Sequence, residues 1–366
     1  MDADGVDLSP ALRRLCGGVL PKATLHKLRG DASTRSYYRV RLVDAPGTAP
    51  QSLIAMRLPE DVLGSDEGQA SHAPTELPFV DVQRMLAARG LPVPRIFVDD
   101  TQGRVLLLED LGDETFAARL DRVPRSEWGA LYGKAVDLLV SMHRACALGA
   151  PAESIAFRRS FEPTLLRWEL DHFAEWGLSA LIGALPEAEH AALDAELSAL
   201  CESLVALPQG FVHRDYQSRN LMWAPGDRLT LIDFQDAMQG PAVYDLCALL
   251  CDSYVALELP EQQAAIDRYA AGMDLTAEAT GALHVAFWRV ASQRKLKDSG
   301  RFVFIDRVRG NPDFLRFYPQ SMRYAGRALR MAGRTALYGQ LQRLLPGFPD
   351  ALPVPPAATG SARTKR

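Results

Sequence analysis

The spacing of apolar residues changes period at residues 109–112, and this change constrains the fold more than any other feature of the chain. Over residues 23–108 the apolar stretches are short and alternating or continuous: SYYRVRLV, SLIAMRL, PRIFVDD and RVLLLED, separated by Gly, Pro and Asp clusters. Such runs predict a small antiparallel sheet. One helix interrupts it, LPFVDVQRMLAARG, stopped by Gly90 and followed by Pro92 and Pro94. The polar stretch EDVLGSDEGQASHAPTEL before that helix reads as a mobile loop. Beyond LLLEDLG the spacing becomes helical, in SEWGALYGKAVDLLVSMHRACA, EPTLLRWELDHFAEWGL, EAEHAALDAELSALCESLVA and most of residues 242–343. A chain of 366 residues that segregates strands from helices in this way is an α+β protein of two units. The expected division is an N-terminal helical extension over residues 1–22, a β-rich unit over 23–110, a helical unit over 111–346 and a disordered tail over 347–366.

Composition excludes several classes. Forty-one basic against 45 acidic residues leave a charge of −4, so no overall field draws in nucleic acid or an anionic membrane. No window approaches the ~18 apolar residues of a membrane span. The opening MDADGVDLSPALRRLCGG lacks the pattern of a secretion signal, so a cytoplasmic location is expected. The cysteines at 16, 146, 201, 247 and 251 are odd in number, show no C-x-x-C spacing and read as reduced core thiols.

The chemistry concentrates in one β-rich insertion among the helices, GFVHRDYQSRNLMWAPGDRLTLIDFQDA. It holds His213-Arg214-Asp215, Asn220 five positions after the aspartate, and Asp233-Phe234 thirteen positions after Asn220. Isolated Asp and Asn are usually turn residues, but this order and spacing match the needs of phosphoryl transfer. A carboxylate orients the attacking hydroxyl and accepts its proton, and hard oxygen ligands hold a metal between phosphates. On this reading Asp215 is the base and Asn220 and Asp233 bind Mg²⁺.

With these motifs in view, the chain resembles the aminoglycoside-phosphotransferase-like small-molecule kinases, a branch of the protein-kinase-like fold. The resemblance spans about residues 20–345 and rests on LRGDASTRSYY, GLPVPRIF leading to LLLEDLG, FVHRDYQSRNLMW, LTLIDFQDA, and GPAVYDLCALL with Asp245. Within that group GDASTRSYYRV, HRDYQSRNLM and QRKLKDSGRF look most like the anomeric kinases of N-acetylmuramic acid and N-acetylglucosamine in cell-wall recycling. The resemblance implies a bilobal fold, with a small antiparallel N-lobe and a larger helical C-lobe, and an ATP cleft between them. It implies ATP and Mg²⁺ as cofactors, a small sugar as acceptor and, as metabolic neighbour, a nucleotidyltransferase that uses the sugar 1-phosphate. Adenine would pair with the carbonyl of Glu109 and the amide of Leu111. A protein kinase is a poor fit: the chain lacks G-x-G-x-x-G-x-V, has Asp-Phe-Gln for Asp-Phe-Gly and shows no A-P-E segment.

Three departures from the family pattern matter. The phosphate-covering turn has a single glycine, Gly30, so Ser33 and Thr34 would add hydroxyls and amides there. The phosphate-binding lysine expected in SLIAMRLP is replaced by Met56-Arg57, and no lysine lies between Lys27 and Lys134. A cation ~4 Å from phosphate contributes about 4 kcal/mol at an effective dielectric of ~20, roughly three decades of rate, so a substitute is required. Arg35, Arg39 and Arg57 are the candidates, with Arg35 favoured because it adjoins the turn; on a strand, Arg57 and Met56 point to opposite faces. The following helix has Asp81 and Gln83 where a lysine-pairing glutamate is often found.

Acceptor contacts are expected from Glu169, Trp176, Gln235, Asp236, Gln293, Arg294 and Lys297, with Arg167, Trp168, Asp171 and Phe173 nearby. Arg294 or Lys297 would meet the carboxylate of a muramic acid. His143, on an apolar helix face, reads as a buried structural histidine. Two other functions stay open: a kinase of another small alcohol, such as an aminoglycoside, choline or homoserine, and a nucleotide-binding pseudokinase.

Overall fold

The computed structural model describes residues 2–3, 5–28, 35–43, 45, 49–59, 76–147 and 154–358. Two stretches with expectations therefore fall outside the described residues: the phosphate-covering turn with Gly30, Ser33 and Thr34, and most of the loop expected to be mobile. The chain divides into two compact units, one formed by residues 1–116 with 221–236, the other by 117–220 with 237–366.

The first unit is built on a five-stranded antiparallel sheet, in spatial order Lys22–Lys27, Ser36–Val43, Ser52–Arg57, Val105–Glu109 and Ile96–Asp100. Alternation sends Tyr38, Val40 and Leu42, with Leu53 and Ala55, to one face, where they meet Leu8, Ala11 and Leu12 of the helix Ser9–Leu15. That helix is part of the sheet's core, and the expected separate extension over residues 1–22 is corrected accordingly. The helix Pro78–Ala88 begins on a proline, and the chain turns at Gly90 with φ 74°. The hairpin Leu221–Ala224/Arg228–Leu231 also belongs to this unit. The Trp223 amide donates to the Glu114 carbonyl at 2.7 Å, Leu231 to Pro92 at 2.8 Å, and Phe234 stacks on Phe79 at 5.0 Å. The chain's boundary thus falls at residue 116, with the hairpin returned to the sheet unit; period alone cannot show which neighbour a two-stranded hairpin joins.

The second unit is mainly helical. Its spine is the 33-residue helix Ala277–Arg309, capped by the Thr276 hydroxyl accepting from the Ala279 amide and ended by left-handed Gly310. The centre of this helix is buried on all sides, charged residues included. A two-stranded ladder, Gln209–Val212 with Met238–Pro241, lies in the same unit. The tail is ordered further than its composition suggests: Phe348 and Pro349 are buried, the Arg307 guanidinium donates to the Pro356 carbonyl at 2.9 Å, and Ala358 donates to Asp306 at 2.9 Å. Apolar anchors at 348 and 349 tie down a segment otherwise rich in small residues. Among the described residues no helix is long and apolar enough to cross a membrane.

Candidate active site

In the helical unit the strand Gln209–Val212 delivers the loop carrying Asp215. Arg214 adopts φ 77°, a left-handed conformation costly for a residue with a side chain, which persists only where its surroundings over-determine it. They do so from three sides. Asp245, fully buried, accepts the amides of His213 at 2.6 Å and Arg214 at 2.9 Å. Glu169 accepts the Arg214 guanidinium at 3.1 Å, and Arg294 donates to the Arg214 carbonyl at 2.8 Å. The loop beyond is closed by Gln217 and Asn220: the Gln217 amide and the Asn220 side-chain nitrogen both donate to the Asp215 carbonyl at 2.9 Å. This bond fixes the amide so that a cation would be met by oxygen rather than nitrogen. Ser218 is held through its amide by Asp252 at 2.9 Å, and Arg219 lies 3.8 Å over the Tyr254 ring. The Asp215 carboxylate keeps a partly exposed face and stands 3.5 Å from the Arg294 guanidinium.

His143 is buried as expected, its ring 2.7 Å from the Tyr269 hydroxyl and 3.5 Å from Asp245. Asp245 and Asp252 are the only charged residues in the run YDLCALLCD, and both turn inward to backbone donors of the loop. Sequence reasoning gave them no role, although a carboxylate in an apolar run is the available signal, since burial demands a partner.

The expected acceptor residues are distributed unevenly. The structure encloses Glu169, Gln293 and Arg294 in the protein's own ion and hydrogen-bond pairs. Glu169 accepts Gln293 at 2.7 Å in addition to Arg214 and lies 3.6 Å from Lys297. Burial pushes the Lys297 ammonium toward its neutral form, but Glu169 more than offsets this, so the side chain stays charged. Trp176 is half-buried on the π-helical turn Phe173–Ser179, edge-on to Phe304 at 5.4 Å, and the exposed Trp168 stacks on His172. Arg167 is bound to Asp171, Asp194 and Ser198, and Phe173 is in the core.

In the sheet unit, Asp233 likewise has a left-handed backbone, φ 63°, and Gln235 donates to its carboxylate at 2.8 Å. Gln235 also reaches Asp236 at 3.4 Å. The three candidate arginines separate. Arg39 is committed to structure: it forms a two-pronged pair with Asp110 at 2.8 and 3.0 Å and also binds Asp113. Burial pushes the Asp110 carboxyl up, yet the bonds from Ser52 and Arg39 hold it below its usual range. Arg57 alternates with Met56 and so shares the face of Ala55 and Leu53, whereas Met56 pairs with Tyr37 across the strands. Arg35 and Asp233 both act on the Tyr37 phenol: burial raises it most, Arg35 lowers it and Asp233 raises it. Gln83 is not an ion-pairing residue; it is buried and donates to the Pro94 carbonyl. Glu109 closes the last strand and is bound by Arg228, while Leu111 is buried just beyond.

The Asn220 side-chain oxygen, in the helical unit, and the Asp233 carboxylate, in the sheet unit, are each hard oxygen donors of the kind Mg²⁺ accepts. Among the described residues no group of three or more His, Cys, Asp or Glu is arranged to hold a metal.

An antiparallel sheet unit carrying Asp-Phe after a hairpin, and a helical unit carrying a strained His-Arg-Asp loop, define a phosphotransferase of the protein-kinase-like fold. Comparison with solved structures agrees on the fold. A choline/ethanolamine kinase family protein from Mesorhizobium loti superposes with TM-score 0.56 at 15% identity, covering 92% of this chain and all of that one. Choline kinase from Cryptosporidium parvum gives 0.56 at 13% identity over 87% of this chain and 91% of its own. The model of the phosphotransferase enzyme family, APH, matches residues 24–283, and the chain belongs to that family. It is 33% identical over 341 residues to an N-acetylmuramate/N-acetylglucosamine kinase from Pseudomonas aeruginosa, covering 90% of both proteins. A kinase of the same name from Pseudomonas putida is 31% identical over 86% of both.

Proposed function

We propose that this protein is an ATP- and Mg²⁺-dependent kinase that transfers the γ-phosphoryl group to the anomeric hydroxyl of N-acetylmuramate or N-acetylglucosamine. The similarity over nearly the full chain to kinases of that name carries this reading. Asp215 orients the acceptor hydroxyl and takes its proton, with the protein contributing mainly position and electrostatics. Asn220 and Asp233 hold the cation, which neutralises charge on the phosphates when bound. Glu109 and Leu111 meet adenine through their backbone. Arg35, with Gly30, Ser33 and Thr34 of the turn, anchors the phosphates in place of the absent strand lysine. Lys297, Trp176, Gln235 and Asp236 are the groups assigned to the acceptor side, and a positive Lys297 suits an acceptor that carries a carboxylate. A soluble cytoplasmic enzyme supplying a sugar 1-phosphate to a nucleotidyltransferase fits this chemistry.

The test is ATP consumption over a panel of amino sugars, aminoglycosides, choline and homoserine, with mass spectrometry of the product. The native chain is expected to yield an N-acetylated sugar 1-phosphate, and Asp215→Asn to lose at least about 10²-fold in kcat. Equal turnover by that variant, or turnover of choline alone, overturns the reading.

A further inference from the structure

The helix Ala277–Arg309 carries Gln293, Arg294, Lys295, Lys297 and Asp298 within one and a half turns, all largely buried. A run of that composition is expensive to bury unless each charge is paired. Here the pairing has a direction, toward the loop that holds Asp215. Lys295 is bound by Asp298 and Ser253, both at 2.6 Å, and Asp298 also contributes to keeping Arg294 charged. The guanidinium of Arg294 is 2% exposed and lies 4.9 Å from the centre of the Tyr244 ring. One of its nitrogens donates to the Arg214 carbonyl at 2.8 Å and the other is 3.5 Å from Oδ1 of Asp215.

These contacts fall on consecutive residues, the first strained. Arg214 needs anchors to hold φ 77°; Asp245 secures its amide, Glu169 its side chain, and Arg294 its carbonyl. The same planar fork that fixes this carbonyl presents a second nitrogen to the next side chain, so the direction of the Asp215 carboxylate follows from the placement of Arg294. A lysine, with one point charge, lacks that two-pronged reach.

We propose that Arg294 is a positioning residue, acting through Arg214 and Asp215 to aim the carboxylate, and that it does not touch the sugar. The inference rests on the reading of Asp215 as the proton acceptor. The measurement is steady-state kinetics of Arg294→Met and Arg294→Lys, alone and combined with Asp215→Asn, with thermal unfolding of each full-length variant. Arg294→Met is expected to lower kcat about 10²-fold while KM for ATP and for the acceptor stays within about threefold. Arg294→Lys should recover part of the loss. In the Asp215→Asn background the second change should lower the residual rate by less than about threefold, because the two residues act as one unit.

Full additivity of the two losses overturns the proposal, as does an unchanged kcat or a loss confined to KM for the sugar. Should Arg294→Met not fold, Arg294→Lys carries the same comparison at preserved charge. If the native chain phosphorylates none of the amino sugars, the functional reading fails first. The Arg294 comparison is then read on ATP hydrolysis, with water as the acceptor, so the two failures are told apart.

Discussion

At the residue scale, the absent strand lysine shows how local chemistry and backbone geometry divide the work. The missing lysine between positions 27 and 134 is plain in the sequence, whereas choosing its substitute needs contacts. Arg39 is engaged by Asp110 and Asp113, Arg57 lies on the sheet face opposite Met56, and Arg35 acts on the Tyr37 phenol, so the three arginines separate by their contacts and not by their sequence context. A second residue-level consequence concerns acid stability. Burial pushes the Asp298 carboxyl up, but Lys295, Arg294 and Lys297 reverse this and hold it down at about 2. A folded-state value below the unfolded value means that the stabilisation is fully present above about pH 4 and is lost as pH falls from there toward 2. Urea unfolding midpoints measured between pH 6 and pH 2.5 should therefore fall less steeply for Asp298→Asn than for the native chain. Parallel acid limbs would show that the ion cluster does not exert this effect.

At the element scale, the sheet and its interrupting helix were legible because strand alternation and the Gly90 stop are local signals. The ends of the chain were not. The helix Ser9–Leu15 and the segment after Gly347 look like appendages by composition, yet a few apolar side chains, Leu8, Ala11, Leu12 and Phe348, bury them. The order and spacing of His213-Arg214-Asp215, Asn220 and Asp233-Phe234 were also legible, whereas the inward-turned pairing of Glu169, Gln293 and Arg294 depends on which helix packs where. One such packing point is Gly300 on the long helix. A Cβ there would lie 2.8 Å from the Phe173 Cα and 2.9 Å from the His172 carbonyl, both backbone atoms that cannot swing aside. Gly300→Ala should cost about 1–3 kcal/mol of unfolding free energy by overpacking. Gly281, on the same helix, is the control: among the described residues, nothing lies within 4 Å of where its Cβ would stand. Gly281→Ala should gain about 0.5–1 kcal/mol from helix propensity alone. Denaturant unfolding of both variants measures this, and equal effects would remove the assigned contact between the long helix and the π-helical turn.

At the scale of the whole molecule, a net charge of −4 provides no general attraction for a polyanionic nucleotide, so its recognition must come from local groups and a cation. The carboxylate proposed to hold that cation is Asp233, in the sheet unit. Magnesium should then link nucleotide binding to the stability of the full chain, in a measurement independent of turnover. A non-hydrolysable ATP analogue at 100 times its Kd is expected to stabilise the native protein by about 2.7 kcal/mol in the presence of Mg²⁺. Chelating the metal should remove most of that gain. Asp233→Asn should reduce the nucleotide-induced rise in Tm and make it insensitive to chelator, because the variant lacks the carboxylate through which the cation is held. An identical rise in native protein with and without chelator would mean that nucleotide is anchored by arginine and backbone amides alone, and Asp233 would lose its assignment as a metal ligand.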